Sequence, residues 1–204
     1  MTELPPVVAF SGKAGSGKTT AANWVMRNHT RALKMSFAQP LKKMFYELLR
    51  QSIPKAWPHQ PKDYMDGPLK EDPVPFLSNK TPRELMQSLG TEWGRNTVNT
   101  DFWVTIAHGK LERMLAAPLH SSDTPQIKAV YDDVRFQNEA DMLRGYKGIL
   151  IRIERPHTAT TSDTTTNHAS EQQQVEPDFV IQNDGTEEDL FAKLAEILPP
   201  PSKA

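Results

Sequence analysis

The sequence, 204 residues long, contains no cysteine. That excludes a disulfide framework and any zinc or iron–sulfur site built on thiolates. Long apolar runs are also missing: nothing approaches the roughly 20 consecutive apolar residues of a membrane-spanning helix. The opening MTELPP leads into an apolar stretch that soon meets glycine, too short to read as a signal peptide. Aromatic residues are sparse, at 8%, although the length suffices for one domain with a sizeable core. Nor does one sign of charge dominate. The 24 basic side chains face 25 acidic ones, for a net −1, which argues against a broad basic surface gripping duplex nucleic acid. The class left standing is a soluble protein of the cytoplasm with no membrane association.

What is there is unevenly placed. Residues 1–55 hold nine basic and two acidic side chains, whereas residues 133–204 hold seven and thirteen. A basic first quarter in a neutral chain suggests a local anionic ligand, or else a solvated helix face.

Hydrophobic patterning gives an order of elements. Val7–Ser11 reads as a buried strand, 18–28 as a helix and Ala32–Phe37 as a second strand, and Leu41–Leu49 has a helical period. Seven of the 17 prolines fall between Pro54 and Pro82, which predicts mostly loop. A helix should open at Thr81, with Pro82 at its first position and Glu84 closing a capping box, and should end near Gly90. Asp101 is placed to cap a further helix. Gln126–Tyr131, Gly148–Ile153 and Asp178–Ile181 read as strands, and Phe136–Arg144 and Glu187–Leu198 as helices. Strands alternating with helices predict an α/β fold with a mainly parallel sheet. His157–Gln174 has no aromatic residue and no aliphatic one larger than alanine, so it reads as a surface insertion or a mobile lid.

Gly12-Lys13-Ala14-Gly15-Ser16-Gly17-Lys18-Thr19 matches G-x-x-x-x-G-K-[ST] in full, between an apolar strand and a helix, with Thr20 next. The glycines let the backbone curl so that successive N–H groups face phosphate oxygens, and the following helix adds its positive end. Lys18 would bring charge to the β- and γ-phosphates, and Thr19 a hydroxyl to Mg²⁺. The motif implies nucleoside triphosphate binding but not what is done with it. Further along, Arg83 could clamp a phosphate, Gln87 offers the donor and acceptor a base edge requires, Trp93 could stack on a base, and Arg95 adds a second positive group. Each has an ordinary alternative: a surface ion pair for Arg83, a core position for Trp93. Phe37 could stack on a base as easily as pack in the core. The six histidines are not spaced as a metal pair, and no nucleophile–His–Asp arrangement is visible.

The runs TPRELMQSLGTEWGR…DFWV, DVRFQNEAD and SE…DFVIQNDGT, in that order behind the loop, resemble the bacteriophage deoxynucleoside monophosphate kinase family over about residues 7–198. The resemblance implies a three-layer P-loop kinase fold: one domain over 1–204, with a helical acceptor-binding insertion at about 38–117 and a mobile lid at about 155–176. It implies transfer of a phosphoryl group from ATP to a deoxynucleoside 5′-monophosphate, with Mg²⁺, in the host cytoplasm if the chain is phage-encoded. Carried onto matching positions, Arg83, Gln87, Trp93 and Arg95 would line the acceptor pocket, with Asp101 and Trp103 just beyond. Asp133, in D-V-R, would join Thr19 at the metal, and Lys18, Arg135 and Arg155 would act on the transferred group. Two alternatives stand beside this: a related kinase acting on hydroxymethylpyrimidine nucleotides in DNA, and a non-catalytic ATP-binding module. The sequence leaves open whether the chain is a monomer or a homodimer.

Overall fold

The computed structural model describes residues 4–29, 32–116, 126–156 and 175–200. The chain divides into two compact units, Met1–Phe37 with Ala107–Ala204, and Ala38–Ile106.

The first unit is built on five strands, β1 (Val7–Ser11), β2 (Leu33–Met35), β3 (Ala129–Tyr131), β4 (Ile149–Glu154) and β5 (Phe179–Gln182), in the order β2-β3-β1-β4-β5. All four pairings are parallel. The central strands β1 and β3 are buried along their whole length, as strands covered on both faces must be. Side chains alternate between the two faces. On one face, Val8, Phe10, Val130, Ile151 and Ile153 form a core with Ala21, Ala22, Trp24 and Val25 of α1 (Lys18–Asn28), and with Leu190 and Leu194 of the C-terminal helix α7 (Glu187–Ile197). On the other face, α6 (Gln137–Gly145) packs on β1 and β4 and buries Ala140 and Leu143. The result is a three-layer α/β fold, with the parallel sheet that the alternating pattern predicts and the layers that the resemblance implies. The strand ends are trimmed: β2 and β3 are three residues each, shorter than 32–37 and 126–131.

The second unit contains α2 (Gln39–Ser52), α3 (Pro61–Met65), α4 (Pro82–Gln87) and the first residues of α5 (Phe102–Ala116). It adds to expectation in two places. The proline-rich stretch is loop and turn over about half its length, and the remainder is ordered helical turn. Besides α3 it forms 3₁₀ turns at Pro68–Glu71 and Pro75–Leu77, and Tyr64, Met65, Val74 and Leu77 join Phe45, Leu49 and Met86 in a core of their own. The prolines permit this because Pro61, Pro68, Pro75 and Pro82 each stand at the start of a helical turn, where no backbone donor is needed. Second, the helix entered at Thr81 does not stop near Gly90. The capping box is present, with Glu84 N donating to Thr81 Oγ1 at 3.1 Å and Thr81 N to Glu84 Oε2 at 2.8 Å. Beyond Gln87, however, the chain continues as a π-helical stretch, Ser88–Val98. The indole of Trp103 holds that wider turn by donating to Gly90 O at 2.7 Å. It lies so close to Gly94 that a Cβ there would sit 2.5 Å from the indole nitrogen.

The expected acceptor insertion at about 38–117 is to be set beside a second unit of Ala38–Ile106. Of the expected lid, residues 157–174 lie outside the described residues. Among the described residues no helix is long and apolar enough to cross a membrane.

Candidate active site

In the first unit, the Gly12–Thr19 loop leaves the C-terminal end of β1 and enters α1. Gly12, Gly15 and Gly17 all have left-handed φ, at 133°, 75° and 107°. At Gly12 the requirement is steric as well, since a Cβ would lie 2.2 Å from Ile153 O. Gly17 is the N-cap of α1 and supplies no side-chain cap, and the first turn of α1 carries no acidic residue. The positive end of this helix is therefore not neutralised by its own sequence, which suits an anion. Lys18 Nζ donates to Gly12 O at 2.8 Å and Lys13 O at 2.6 Å, so its ammonium lies over the loop. Ser16 is buried, and its Oγ has no hydrogen-bond partner among the described residues. Lys13, Ala14 and Gly15 are exposed, and Thr20 follows on the first turn of α1.

Two aspartates follow β3, and they face different partners. Asp132 Oδ2 accepts from Thr19 Oγ1 at 3.0 Å and pairs with Lys34 Nζ at 2.6 Å. Asp133 turns to the end of β2, where its Oδ2 accepts from Ser36 Oγ at 2.6 Å and its Oδ1 from Phe37 N at 3.2 Å. The carboxylate beside the loop threonine is thus Asp132, not the expected Asp133. The D-V-R match favours Asp133 over its neighbour Asp132, and nothing in the sequence points to Lys34. A pair of oxygens from Thr19 and Asp132 fits Mg²⁺, which is usually held by one or two protein oxygens with waters and substrate phosphates completing the shell. Among the described residues no cluster of three or more His, Asp or Glu offers an all-protein cage.

Phe37 is 3% exposed, its ring 4.9 Å from that of Tyr131, so it takes the core role rather than a base-stacking one. Arg135, between β3 and α6, and Arg155, just beyond β4, are both exposed. The backbone N–H of Arg135, with that of Phe136, donates to the buried Glu139 carboxylate at 2.8 and 3.1 Å, which fixes the entry to α6. Arg152, two positions into the strand from Glu154, bonds Val175 O and lies 3.8 Å from Glu154.

The second unit holds the expected acceptor residues. Arg83 Nε donates to Glu71 Oε1 at 2.6 Å. Neither Glu84 nor Glu92, the sequence neighbours, is the partner in that bond. The charge around Arg83 is richer than the sequence suggests. Burial, followed by the charges of Arg83 and Lys42, holds the Lys70 ammonium below the ordinary lysine pKa. The Arg83 guanidinium in turn lowers Glu71. Lys70 thus lies near two further cations that are each held by a carboxylate, Lys42 by Asp66 at 2.6 Å and Arg83 by Glu71, and a proline-rich run gave no sign of it. Gln87 is half-buried at the end of α4. Trp93 is 39% exposed, with its ring edge-on to Phe102 at 5.5 Å. Trp103 is 4% exposed and spent on Gly90 O, so its indole supports the π-helical turn instead of facing a ligand. Arg95 is buried, its Nη1 donating to Thr100 O at 3.0 Å. Asp101 is exposed just ahead of α5, where its carbonyl accepts from Thr105 N at 2.8 Å.

A parallel sheet in the order β2-β3-β1-β4-β5, with a glycine loop running from β1 into an uncapped helix and a carboxylate opposite it, defines a three-layer α/β protein of the P-loop kinase fold. Residues 76–194 match the family model described as deoxynucleotide monophosphate kinase. The chain is 31% identical over 195 residues, 92% of its own length and 93% of the other's, to a protein of Acanthamoeba polyphaga mimivirus that is named, provisionally, as a deoxynucleotide monophosphate kinase. A shorter match, 41% over 64 residues, covers 31% of this chain and 22% of the deoxynucleoside-5′-monophosphate kinase of Escherichia phage T5. The chain belongs to the deoxynucleotide monophosphate kinase family and is a nucleotide kinase. Among solved structures it is similar to a provisionally named kinase of Chloroflexus aurantiacus, with 10% identity, 97% and 98% of the two chains covered and a TM-score of 0.46. The fold rests on the sheet and its order, not on that likeness.

Proposed function

We propose that the protein transfers the γ-phosphoryl group of ATP to a deoxynucleoside 5′-monophosphate, giving the diphosphate. The observation that carries the reading is the Gly12–Thr19 loop with Asp132 beside Thr19, in a chain of this family. The loop N–H groups and the positive end of α1 bind the triphosphate. Lys18 moves from the carbonyls of Gly12 and Lys13 to the phosphate oxygens, exchanging two neutral acceptors for charged ones. Thr19 and Asp132 would hold Mg²⁺, which when bound neutralises charge on the phosphates. Arg135 and Arg155 carry positive charge for the group in flight, where electrostatic stabilisation does most of the catalytic work.

For the acceptor, Arg83 binds the phosphate and exchanges Glu71 for it, beside the ammonium of Lys70. Trp93, exposed on one side, stacks on the base, and Gln87 reads its edge. Asp101 stands near them in sequence. Arg95, Trp103 and Phe37, all buried, hold the backbone that presents these groups. No general base is required, because the attacking phosphate oxygen is ionised at neutral pH.

The test is ADP formation in the presence of ATP, Mg²⁺ and one deoxynucleoside monophosphate at a time. The reading requires turnover that depends on the monophosphate. ATP consumption indifferent to every monophosphate contradicts it.

A further inference from the structure

Asn183 lies just beyond β5, at the strand end distant in sequence from the glycine loop. Its backbone N–H donates to Glu154 O at 2.7 Å, continuing the β4–β5 ladder by one residue. This anchors the main chain and leaves the side chain to point where the ladder aims it. That side chain is 6% exposed, and its Nδ2 donates to Ser16 O at 2.8 Å across 167 residues of sequence. The contact is close on the glycine side as well: a Cβ on Gly17 would lie 2.7 Å from Asn183 Nδ2 and 3.5 Å from Leu190 Cδ2. A carboxamide from the edge strand thus sits flush against the peptide joining Ser16 to Gly17.

We propose that Asn183 is a positioning residue for nucleotide binding. By holding the Ser16 carbonyl, it fixes the direction in which the Gly17 N–H points. The reason is the geometry of a peptide bond. Carbonyl and N–H lie on opposite sides of a planar trans unit, so fixing one fixes the other; the described residues include no cis bond. With the Ser16 oxygen drawn to β5, the Gly17 N–H is turned the other way, away from Asn183. Gly17 itself cannot hold this arrangement. Its φ of 107° is open to glycine alone, and with that freedom comes a peptide plane that rotates cheaply unless something clamps it. Gly17 also N-caps α1 without a side-chain bond of its own, so the clamp has to come from elsewhere in the fold. A pre-set N–H at a helix start costs no reorganisation when an anion arrives, and that saving appears as affinity.

The inference rests on the loop being the triphosphate site, and the experiment separates the two. ATP affinity is measured by calorimetry without any acceptor, together with the melting temperature of the nucleotide-free protein, for wild type, Lys18→Ala, Asn183→Leu and Asn183→Ser. Leucine keeps the branched heavy-atom skeleton of the carboxamide without its donor, and serine keeps a donor that stops short of Ser16 O. The expected result is ATP binding weakened about ten- to hundredfold in both Asn183 variants, the range for losing a hydrogen bond that serves a charged ligand. The KM of the monophosphate should stay unchanged. If Lys18→Ala loses ATP binding while the folded Asn183 variants keep wild-type affinity, the role of Asn183 is overturned and the loop assignment stands. A lowered melting temperature with unchanged affinity overturns it in the same way, as does failure of both Asn183 variants to fold, since the residue then holds the sheet and not the loop. If Lys18→Ala binds ATP like wild type, the loop assignment fails and the role of Asn183 falls with it.

Discussion

Thr19 Oγ1 donates to Asp132 Oδ2 at 3.0 Å, joining the first turn of α1 to the residue that follows β3 across 113 positions of sequence. The same carboxylate oxygen receives the Lys34 ammonium at 2.6 Å, while the adjacent Asp133 is committed to Ser36 and Phe37. Neighbouring carboxylates with different partners should behave differently on substitution. Asp132→Asn should raise the Mg²⁺ concentration for half-maximal turnover by about ten- to hundredfold, as loss of a metal-supporting group usually does. Asp133→Asn should leave that requirement alone and lower stability by about 1.5–3 kcal/mol, through weakened hydrogen bonds to a charged acceptor. A Mg²⁺ titration and a urea melt on each variant check both halves.

Arg83→Ala should raise the KM of the monophosphate with kcat little changed, because a contact to the acceptor phosphate exists in ground and transition states alike. Lys70→Met should move the same constant in the same direction, since Lys70 and Arg83 repel one another in the protein and an arriving anion relieves both. Steady-state kinetics with the monophosphate varied at saturating ATP provide the measurement. Unchanged constants in both variants contradict the acceptor assignment.

Gly94→Ala places a methyl 2.5 Å from the Trp103 indole nitrogen. That indole is buried and bonded to Gly90 O, so it cannot withdraw without cost. The expected destabilisation is about 1–3 kcal/mol, the range for overpacking a filled site. Gly109→Ala is the control, because a Cβ there would meet only the end of the Arg113 side chain, at 3.5 Å. Thermal unfolding of the two variants compares them directly.

His29 is buried at the end of α1, its Nε2 without a hydrogen-bond partner among the described residues. Burial pushes its pKa below the ordinary 6.5, against a smaller opposing effect from a hydrogen bond to the Leu198 backbone. The sign follows from linkage. Below pH 6.5 the unfolded chain takes up a proton that the folded protein resists, so stability falls from about pH 6.5 down to the lowered folded-state value and levels off below it. Unfolding free energy measured from pH 8 to 5 should decline more steeply in wild type than in His29→Gln. Parallel curves contradict the assignment.

Much of this fold is legible in the sequence because its signals are local. Val7–Ser11, the glycine loop and α1 are found where an apolar run, three glycines and a helical period put them. The Thr81–Glu84 capping box also forms as the residue types require. What stayed hidden depends on long-range pairing. Adjacent side chains leaving a strand point opposite ways, so whether Asp132 or Asp133 meets Thr19 is decided by the register of β3 against β1, with Val8 beside Val130 and Ala9 beside Tyr131. The π-helical stretch beyond Gln87 depends on an indole reaching back from Trp103, which no local propensity encodes. Proline counts between Pro54 and Pro82 gave the loops but hid the short helical turns, because a proline at the start of a turn continues the structure that a proline within it would break. In the site itself the loop was readable, whereas Lys34, Lys70 and Asn183 were not, as each gains its meaning only from a partner elsewhere in its unit.

The most direct test of the account is transfer of label from γ-labelled ATP, with Mg²⁺, to each of the four deoxynucleoside monophosphates offered singly, alongside DNA carrying hydroxymethylpyrimidines. The account predicts labelled diphosphate from at least one free monophosphate, lost in Lys18→Ala. No labelled diphosphate from any of the four, whether or not the DNA takes up label, would contradict it.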